Sequence, residues 1–328
     1  MPILISISPV ILFLILINSL DSFKLLKLNI IIYAIIWGII SAIIAYPINT
    51  FWFSTFHPNI VYSIAAPITE EILKSLIIIF FFYKSKLGFL ADSLIIGFAA
   101  GTGFSILENL FYVNQIETQN IMLWIIRGFG TAIMHGSSTA IFAVVSQNII
   151  TKKDNTLIHF FLPGLTMGII IHSLFNSFFL PPLILTILQI TLLPLIVIQI
   201  FTKSEKTLKA WMESQSDSEI ELLKIINEGE FKNSAVGKYL SSIKNRFSTE
   251  VMIDILAYIQ LHLELSLKAK GILMMKEAGF VPTINEEIKT MLVELDYLYK
   301  SIGKTGMSVL KPLIKISKKD LWKINLLK

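Results

Sequence analysis

Seven long apolar runs constrain the fold of this chain more than any other feature of its sequence. Each run is close to the roughly 20 residues that a helix needs to cross the hydrocarbon core of a bilayer. The runs lie at residues 3–20, 28–47, 60–83, 90–113, 121–146, 158–180 and 183–201. Continuous runs of this length favour helices, in which every backbone polar group is satisfied within the segment. The sequence therefore predicts an all-α membrane helix bundle with about seven transmembrane helices.

The charged residues divide the chain into two predicted domains. Of the 28 Lys and Arg residues, 8 precede residue 203 and 20 lie from residue 203 onward, and the 23 acidic residues divide as 7 and 16. We predict a transmembrane domain over residues 1–202 and a helical cytoplasmic domain over residues 203–328. In the second domain, residues 249–279 and 285–301 repeat apolar positions three and four apart, which is typical of amphipathic helices.

The loops between the apolar runs predict the orientation of the chain. Lysines occur in the loops after the first, third and fifth runs and directly after the seventh, whereas the other loops contain neither Lys nor Arg. Positive loops are retained on the cytoplasmic side of a membrane. We therefore expect a multi-pass protein of the cell (inner) membrane with its N-terminus outside and its C-terminal tail in the cytoplasm, where its partner is unknown. The first run has no basic residue ahead of it, so we interpret it as a retained helix and not as a signal peptide.

Composition excludes several functional classes. The chain has no cysteine, which rules out thiolate nucleophiles and Cys-based metal sites. Its net charge is +5, but no basic stripe with interleaved aromatic residues occurs, so nucleic acid is not an expected partner. Gly97, Gly101 and Gly103 follow no strand and cannot form a nucleotide-binding loop, so they predict close helix packing.

Four consecutive apolar runs carry polar or ionisable residues at a similar predicted depth in the outer half of the bilayer. A charged group at mid-membrane costs at least about 2.5–3.5 kcal/mol on insertion scales, and such groups normally face a protein interior or a water-filled cavity. Any one of them alone could be structural, but their coincidence indicates a functional site. The residues are Glu70, Glu71 and Lys74 in the third run, Glu108 and Asn109 in the fourth, His135 in the fifth, and His172 and Asn176 in the sixth.

The third run is the most informative of the four. Lys74 lies one helical turn from both Glu70 and Glu71 and can pair with one of them. The other carboxylate is then left over for general acid or base chemistry. Arg127, near the outer end of the fifth run, is expected to snorkel toward the membrane surface.

The ordered set of motifs resembles the PrsW family of intramembrane proteases, distant relatives of the prenyl-protein (CAAX) and bacteriocin-immunity membrane proteases. The resemblance covers residues 60–180. It implies regulated intramembrane proteolysis of a membrane-linked protein, typically an anti-sigma factor cut on its extracytoplasmic side to start a stress response. The partners would be a membrane-protein substrate and the lipid bilayer. The matching motifs are Glu70-Glu71-x-x-Lys74, Phe104-x-x-x-Glu108-Asn109, His135, and His172-x-x-x-Asn176.

Peptide hydrolysis by such a site needs an activated water molecule and a stabilised oxyanion. Glu70 or Glu71 could take the proton from water. His135 or His172, together with the amide of Asn109 or Asn176, could stabilise the oxyanion, with a contribution of roughly 3–4 kcal/mol per donor.

Several alternatives stay open from the sequence alone. Glu108, His135 and His172 are also suitable zinc ligands, so the cofactor is either none or zinc, although no His-Glu-x-x-His motif is present. A proton-coupled transporter or channel would also place ionisable residues inside the membrane. A third possibility is a non-catalytic membrane scaffold.

Overall fold

A computed structural model describes residues 1–21, 23–118, 120–153, 157–214, 216–228, 233–280, 282, 285–310 and 327. Within these residues the chain is helical and contains no strand, which confirms the all-α class. α3 combines Pro58–Ile60, a π-helical turn at Val61–Ala65, and Ala66–Tyr83. The first seven helices are α1 (Pro2–Ser19), α2 (Leu28–Thr55), α3 (58–83), α4 (Leu90–Gln115), α5 (Ile121–Lys153), α6 (Ile158–Asn176) and α7 (Pro182–Ser214).

Six of these helices, all except α3, are long and apolar enough to cross a membrane. The chain is thus a multi-pass membrane protein. α3 has the length and position of the predicted third span, but it carries three charged residues, Glu70, Glu71 and Lys74, within 18 residues. That α3 makes a seventh crossing stays a prediction.

α2 extends eight residues beyond its predicted end at residue 47. Pro47 and the polar residues after it suggest a loop, but the helix continues through them to Thr55. Contacts with α3 compensate for the backbone hydrogen bond that a proline removes. The indole of Trp52 donates to the hydroxyl of Thr69 at 3.1 Å, and Asn49 donates to Glu70. The extension brings Asn49 into the polar centre of the bundle.

α4 is the central helix of the bundle. Its residues 91–105 are all buried, and it packs against α1, α2 and α5. A Cβ atom at Gly101 would overlap the backbone carbonyl of His135, and one at Gly103 would overlap the carbonyl oxygen of Ile35. These two contacts confirm that the glycines serve close helix packing. They also hold the backbone of His135 directly against α4.

Two π-helical segments precede motif residues. Val61–Ala65 lies five residues before Glu70, and Ile126–Ala132 lies three residues before His135. A π-helical turn is wider than an α-helical turn, so it rotates the side chains that follow it. Such segments occur frequently at functional sites. Here both act on the helices that present the polar residues of the bundle.

The structure divides into two compact units, Met1–Lys206 and Thr207–Lys328. The second unit has an apolar core that includes Ile255 and Ile259 of α10 (Thr249–Glu277) and Leu292 and Leu295 of α11 (Glu286–Leu310). α10 and α11 correspond to the amphipathic helices predicted there, and α11 has a kink at Gly303, where φ is 68°. The helices after α7 are α8 (Ser216–Asn227), α9 (Ala235–Ile243), α10 (Thr249–Glu277) and α11 (Glu286–Leu310).

Candidate active site

The four motifs meet in the interior of the first unit. The side chains of Glu71, Lys74, His135 and His172 are at most 2% exposed, although they come from α3, α5 and α6. Isolated charges at this depth would be costly, so the cluster must satisfy its members internally.

Glu71 is the hub of the cluster. Its Oε1 atom accepts hydrogen bonds from Lys74 Nζ at 2.6 Å and from the hydroxyl of Ser138 at 2.8 Å. Its Oε2 atom accepts one from the hydroxyl of Thr139 at 3.1 Å. His172 Nδ1 lies 2.8 Å from Oε1. With both oxygens engaged and the side chain buried, Glu71 has no room to activate water and instead fixes its neighbours in position.

Glu70 points in a different direction from Glu71. Its side chain is 12% exposed, and its Oε1 atom accepts a hydrogen bond from Asn49 Nδ2 at 2.9 Å. Its Oε2 atom lies 3.7 Å from His172 Nε2 and 4.0 Å from His135 Nδ1. Since Lys74 pairs with Glu71, Glu70 is left with no lysine or arginine within salt-bridge distance among the described residues.

Glu108 holds His135 from the other side. His135 Nε2 lies 2.7 Å from Glu108 Oε2, and Arg127 Nη2 lies 3.4 Å from Glu108 Oε1. Arg127 also donates from Nε to Asn109 Oδ1 at 2.9 Å and stacks over the ring of Tyr112, 3.8 Å from its centroid. The expectation that Arg127 snorkels is therefore wrong. Its side chain is only 12% exposed because these three partners hold it inside the bundle.

The carboxylate partners determine the tautomers of both histidines. A carboxylate only accepts, so His172 carries its hydrogen on Nδ1, facing Glu71, and His135 carries its hydrogen on Nε2, facing Glu108. The remaining ring nitrogens then carry lone pairs. Nε2 of His172 lies 3.7 Å from Glu70 Oε2, and Nδ1 of His135 accepts from Lys74 Nζ at 3.2 Å and lies 4.0 Å from Glu70 Oε2. This arrangement, in which a carboxylate orients an imidazole whose second nitrogen is free to ligate, is characteristic of metal-binding histidines.

Glu70, His135 and His172 fit a divalent metal ion. One ligand atom from each lies within 4.8 Å of the others. Two histidines and one glutamate form a known catalytic zinc set that keeps a fourth position open. Lys74 Nζ lies 3.2 Å from His135 Nδ1, so a metal would have to replace that hydrogen bond, leaving Lys74 paired with Glu71. The predicted zinc ligands were Glu108, His135 and His172. In the structure Glu108 instead contacts His135 Nε2, the ring nitrogen that points away from Glu70 and His172.

A cavity of about 570 Å³ leads to this cluster. Glu70 and Glu108 both line it, and the rest of its lining comes from α2 and α4. Its size is within the range of about 300–1,000 Å³ that is usual for ligand sites. The two carboxylates are therefore the members of the cluster that a substrate or water molecule can reach.

The structure brings together Glu70, Glu71, Lys74, His135 and His172, and Glu108 contacts them through His135. The two supporting asparagines lie differently. Asn109 Nδ2 donates to the carbonyl oxygen of Ser6 at 2.8 Å, so one of its two N–H groups is used in packing α4 against α1. Asn176 is the last residue of α6, and no hydrogen bond from it to the cluster occurs among the described residues.

Sequence reasoning missed two residues of the site. Asn49 lay in a predicted loop, and Arg127 was expected at the membrane surface. The pairing of Arg127 with Glu108 could have been predicted. An arginine inside an apolar run needs a carboxylate partner, and Glu108 is the nearest carboxylate in the adjacent run. Nothing in the sequence alone pointed to Asn49.

The long apolar helices define a multi-pass membrane protein. The buried group of Glu, His and Lys side chains that a cavity reaches gives this bundle a hydrolase-like polar centre. The family described as PrsW family intramembrane metalloprotease matches residues 27–201, more than half of the chain. The chain belongs to this family. No curated protein and no solved structure matches it.

Proposed function

We propose that this protein is an intramembrane peptidase that hydrolyses a peptide bond of a membrane-linked protein. The observation that carries the proposal is the convergence of ligand atoms from Glu70, His135 and His172 within 4.8 Å, at a cavity that Glu70 also lines. Membership of the PrsW family supports the reaction class. A membrane-anchored anti-sigma factor, cut in its extracytoplasmic half, is the substrate that the family resemblance suggests.

In this proposal Glu70, His135 and His172 hold a divalent metal ion, with zinc as the candidate. When bound, such an ion would polarise the attacking water and the scissile carbonyl. Glu71 and Glu108, through contacts of 2.8 and 2.7 Å, keep the two imidazoles in the tautomers in which Nε2 of His172 and Nδ1 of His135 carry lone pairs that a metal ion could accept.

Glu108 is the proposed general base and acid. It lines the cavity, and its side chain is 25% exposed, whereas that of Glu71 is 1% exposed. A carboxylate in reach of the cavity can accept a proton from water and return it to the leaving amine. Arg127 Nη2, 3.4 Å from Oε1, and His135 Nε2, 2.7 Å from Oε2, fix the orientation of this carboxylate.

Lys74 is a positioning residue in the same scheme. Its ammonium lies 2.6 Å from Glu71 Oε1 and 4.9 Å from the centroid of the Phe104 ring. It offsets the charge of the buried Glu71 carboxylate, which in turn orients His172. The site therefore depends on Lys74 although Lys74 does not line the cavity.

The proposal is tested by comparing membrane-protein fragments in cells that carry the wild-type chain or Glu70→Gln. Glu117→Gln, in the exposed loop after α4, is the matched control. We expect fragments of at least one membrane-anchored protein in wild-type and Glu117→Gln cells that are absent with Glu70→Gln. Purified wild-type chain should then cleave that protein in proteoliposomes. Identical fragments in all three strains would contradict the proposal.

A further inference from the structure

The last two turns of α2, residues 48–55, hold two consecutive residues of α3. Asn49 Nδ2 donates to Glu70 Oε1 at 2.9 Å, and the indole of Trp52 donates to the hydroxyl of Thr69 at 3.1 Å. Asn49 and Trp52 are three residues apart, so they lie on the same face of the helix. This part of α2 therefore fixes the turn of α3 that carries Glu70.

The hydrogen bond from Asn49 distinguishes the two oxygens of the Glu70 carboxylate. Oε1 accepts from Asn49, whereas Oε2 lies 3.7 Å from His172 Nε2 and 4.0 Å from His135 Nδ1. The carboxylate cannot turn both oxygens toward the histidines without breaking the bond to the amide. Asn49 thus keeps Oε2 as the oxygen that faces the two imidazole nitrogens.

The orientation of the Asn49 amide leaves its own carbonyl unpaired. Oδ1 is buried and has no hydrogen-bond partner among the described residues, whereas Nδ2 is paired with the carboxylate. A buried acceptor without a partner costs free energy, and such groups are rare in folded proteins. Rotating the amide by half a turn would make Oδ1 face the Glu70 carboxylate, and neither oxygen could then donate. A group that stays unpaired so that one contact can form indicates that the contact has a function.

A second asparagine lines the same cavity without this contact. Asn114 of α4 has an exposed side chain, and its Nδ2 atom donates to the carbonyl oxygen of Leu110, one turn earlier in the same helix. A place in the cavity lining is therefore not enough to bring an asparagine to Glu70. The continuation of α2 past Pro47 is what places Asn49 there.

We propose that Asn49 is a positioning residue that holds Glu70 so that Oε2 is its metal-ligating oxygen. The inference rests on the proposed function, in which Glu70 and two histidines hold a divalent ion. Glu71 and Glu108 orient the two histidines, and Asn49 is the corresponding partner of the third ligand. Losing such a partner typically weakens metal binding about 10–100-fold.

Metal affinity measured separately from stability tests this proposal. The full-length chain is purified in detergent, freed of metal, and titrated with zinc against a competing chelator, and its Tm is measured before zinc is added. Asn49→Leu keeps the approximate size of the side chain and removes the donor, and Asn114→Leu makes the same change at the control position. Asn49→Ala is a second variant that does not depend on how leucine packs. A parallel titration uses cobalt(II), whose visible spectrum depends on the number and geometry of its ligands.

We expect both Asn49 variants to weaken zinc binding by about 10–100-fold and Asn114→Leu to leave it within about twofold of the wild type. The Tm of the metal-free chain should change by no more than about 4 °C, because the Asn49 variants remove the unpaired carbonyl together with the hydrogen bond. The cobalt spectra of the Asn49 variants should differ from that of the wild type, since the released carboxylate can bind the ion with both oxygens.

Asn49 variants that match the wild type in zinc affinity or in cobalt spectrum would overturn the proposal. A metal-free Tm lowered by more than about 4 °C in both Asn49→Leu and Asn49→Ala would also overturn it, because the residue would then be needed for folding. The outcomes also separate this inference from the proposed function. Zinc binding that depends on Asn49, without cleavage of any membrane protein, would leave the inference standing and contradict the peptidase. A wild-type chain that binds neither zinc nor cobalt would contradict the proposed metal site and, with it, this inference.

Discussion

Replacing Lys74 by methionine should destabilise the protein strongly. Lys74 Nζ and Glu71 Oε1 are 2.6 Å apart, and the two side chains are 0% and 1% exposed. Removing one partner of a buried ion pair costs about 3–5 kcal/mol, because the other charge is left uncompensated. In a domain of about 200 residues, 1 kcal/mol shifts Tm by roughly 2–4 °C, so Lys74→Met should lower Tm by about 6–20 °C.

The double variant separates the ion pair from simple loss of packing. Glu71→Gln alone should also destabilise, since it leaves the Lys74 ammonium buried beside a neutral amide. Lys74→Met combined with Glu71→Gln removes both charges. The combined loss should be smaller than the sum of the two single losses by about 0.5–3 kcal/mol, the range measured for directly interacting groups.

Thermal unfolding of the purified chain in detergent, followed by tryptophan fluorescence, measures these differences. Lys152→Met, at the exposed end of α5, is the matched control and should change the free energy of unfolding by no more than about 0.5 kcal/mol. Strictly additive losses in the double variant, or an unchanged Tm for Lys74→Met, would refute the view that this pair neutralises the interior of the site.

Three further predictions follow from the site and the loops. Glu108→Gln should reduce cleavage by at least about 10²-fold while metal content stays at the wild-type level, and Glu117→Gln should change neither cleavage nor metal content; full activity in Glu108→Gln would exclude it as the base. A chain that ends at Lys206 should fold in detergent and retain cleavage, because every proposed site residue lies in the first unit; loss of activity in a well-folded truncated chain would move part of the site into the tail. Single cysteines at Asn59 and Asn120 should react with a membrane-impermeant thiol reagent in intact cells and one at Lys153 should not, and labelling at 153 from outside would reverse the predicted orientation.

The sequence predicted the helical class and most helix boundaries because apolar length is a strong local signal. It also predicted side chains that the fold buries together, since charges inside apolar runs are rare and costly. α2, like α5 and α7, runs past its predicted end. Pro47 and Asn49 have the local chemistry of a turn, and only contacts with Glu70 and the neighbouring Thr69 show why the helix continues past them.

The separate roles of Glu70, Glu71 and Glu108 could not be predicted from their spacing in the sequence. Glu70 and Glu71 are adjacent in sequence, yet they point to different neighbours, and only the packing of α3 against α5 and α6 determines which one Lys74 pairs with. The role of Glu108 could not be predicted either, because it depends on whether Glu108 faces Nδ1 or Nε2 of His135. Its contact with Nε2 makes it an orienting and proton-transferring group in our scheme, with Glu70 in the position of the ligand.

The central claim, a metal held by Glu70, His135 and His172, is tested most directly by the metal content of the purified chain, measured together with cleavage before and after chelation. We predict about one zinc ion per chain in the wild type and in Glu117→Gln, and a large loss of zinc in both Glu70→Gln and His172→Ala. Cleavage should stop on chelation and return when zinc is added. Undiminished cleavage by a metal-free wild-type chain, abolished by Glu70→Gln, would contradict the claim and make Glu70 the base of a metal-independent glutamic peptidase.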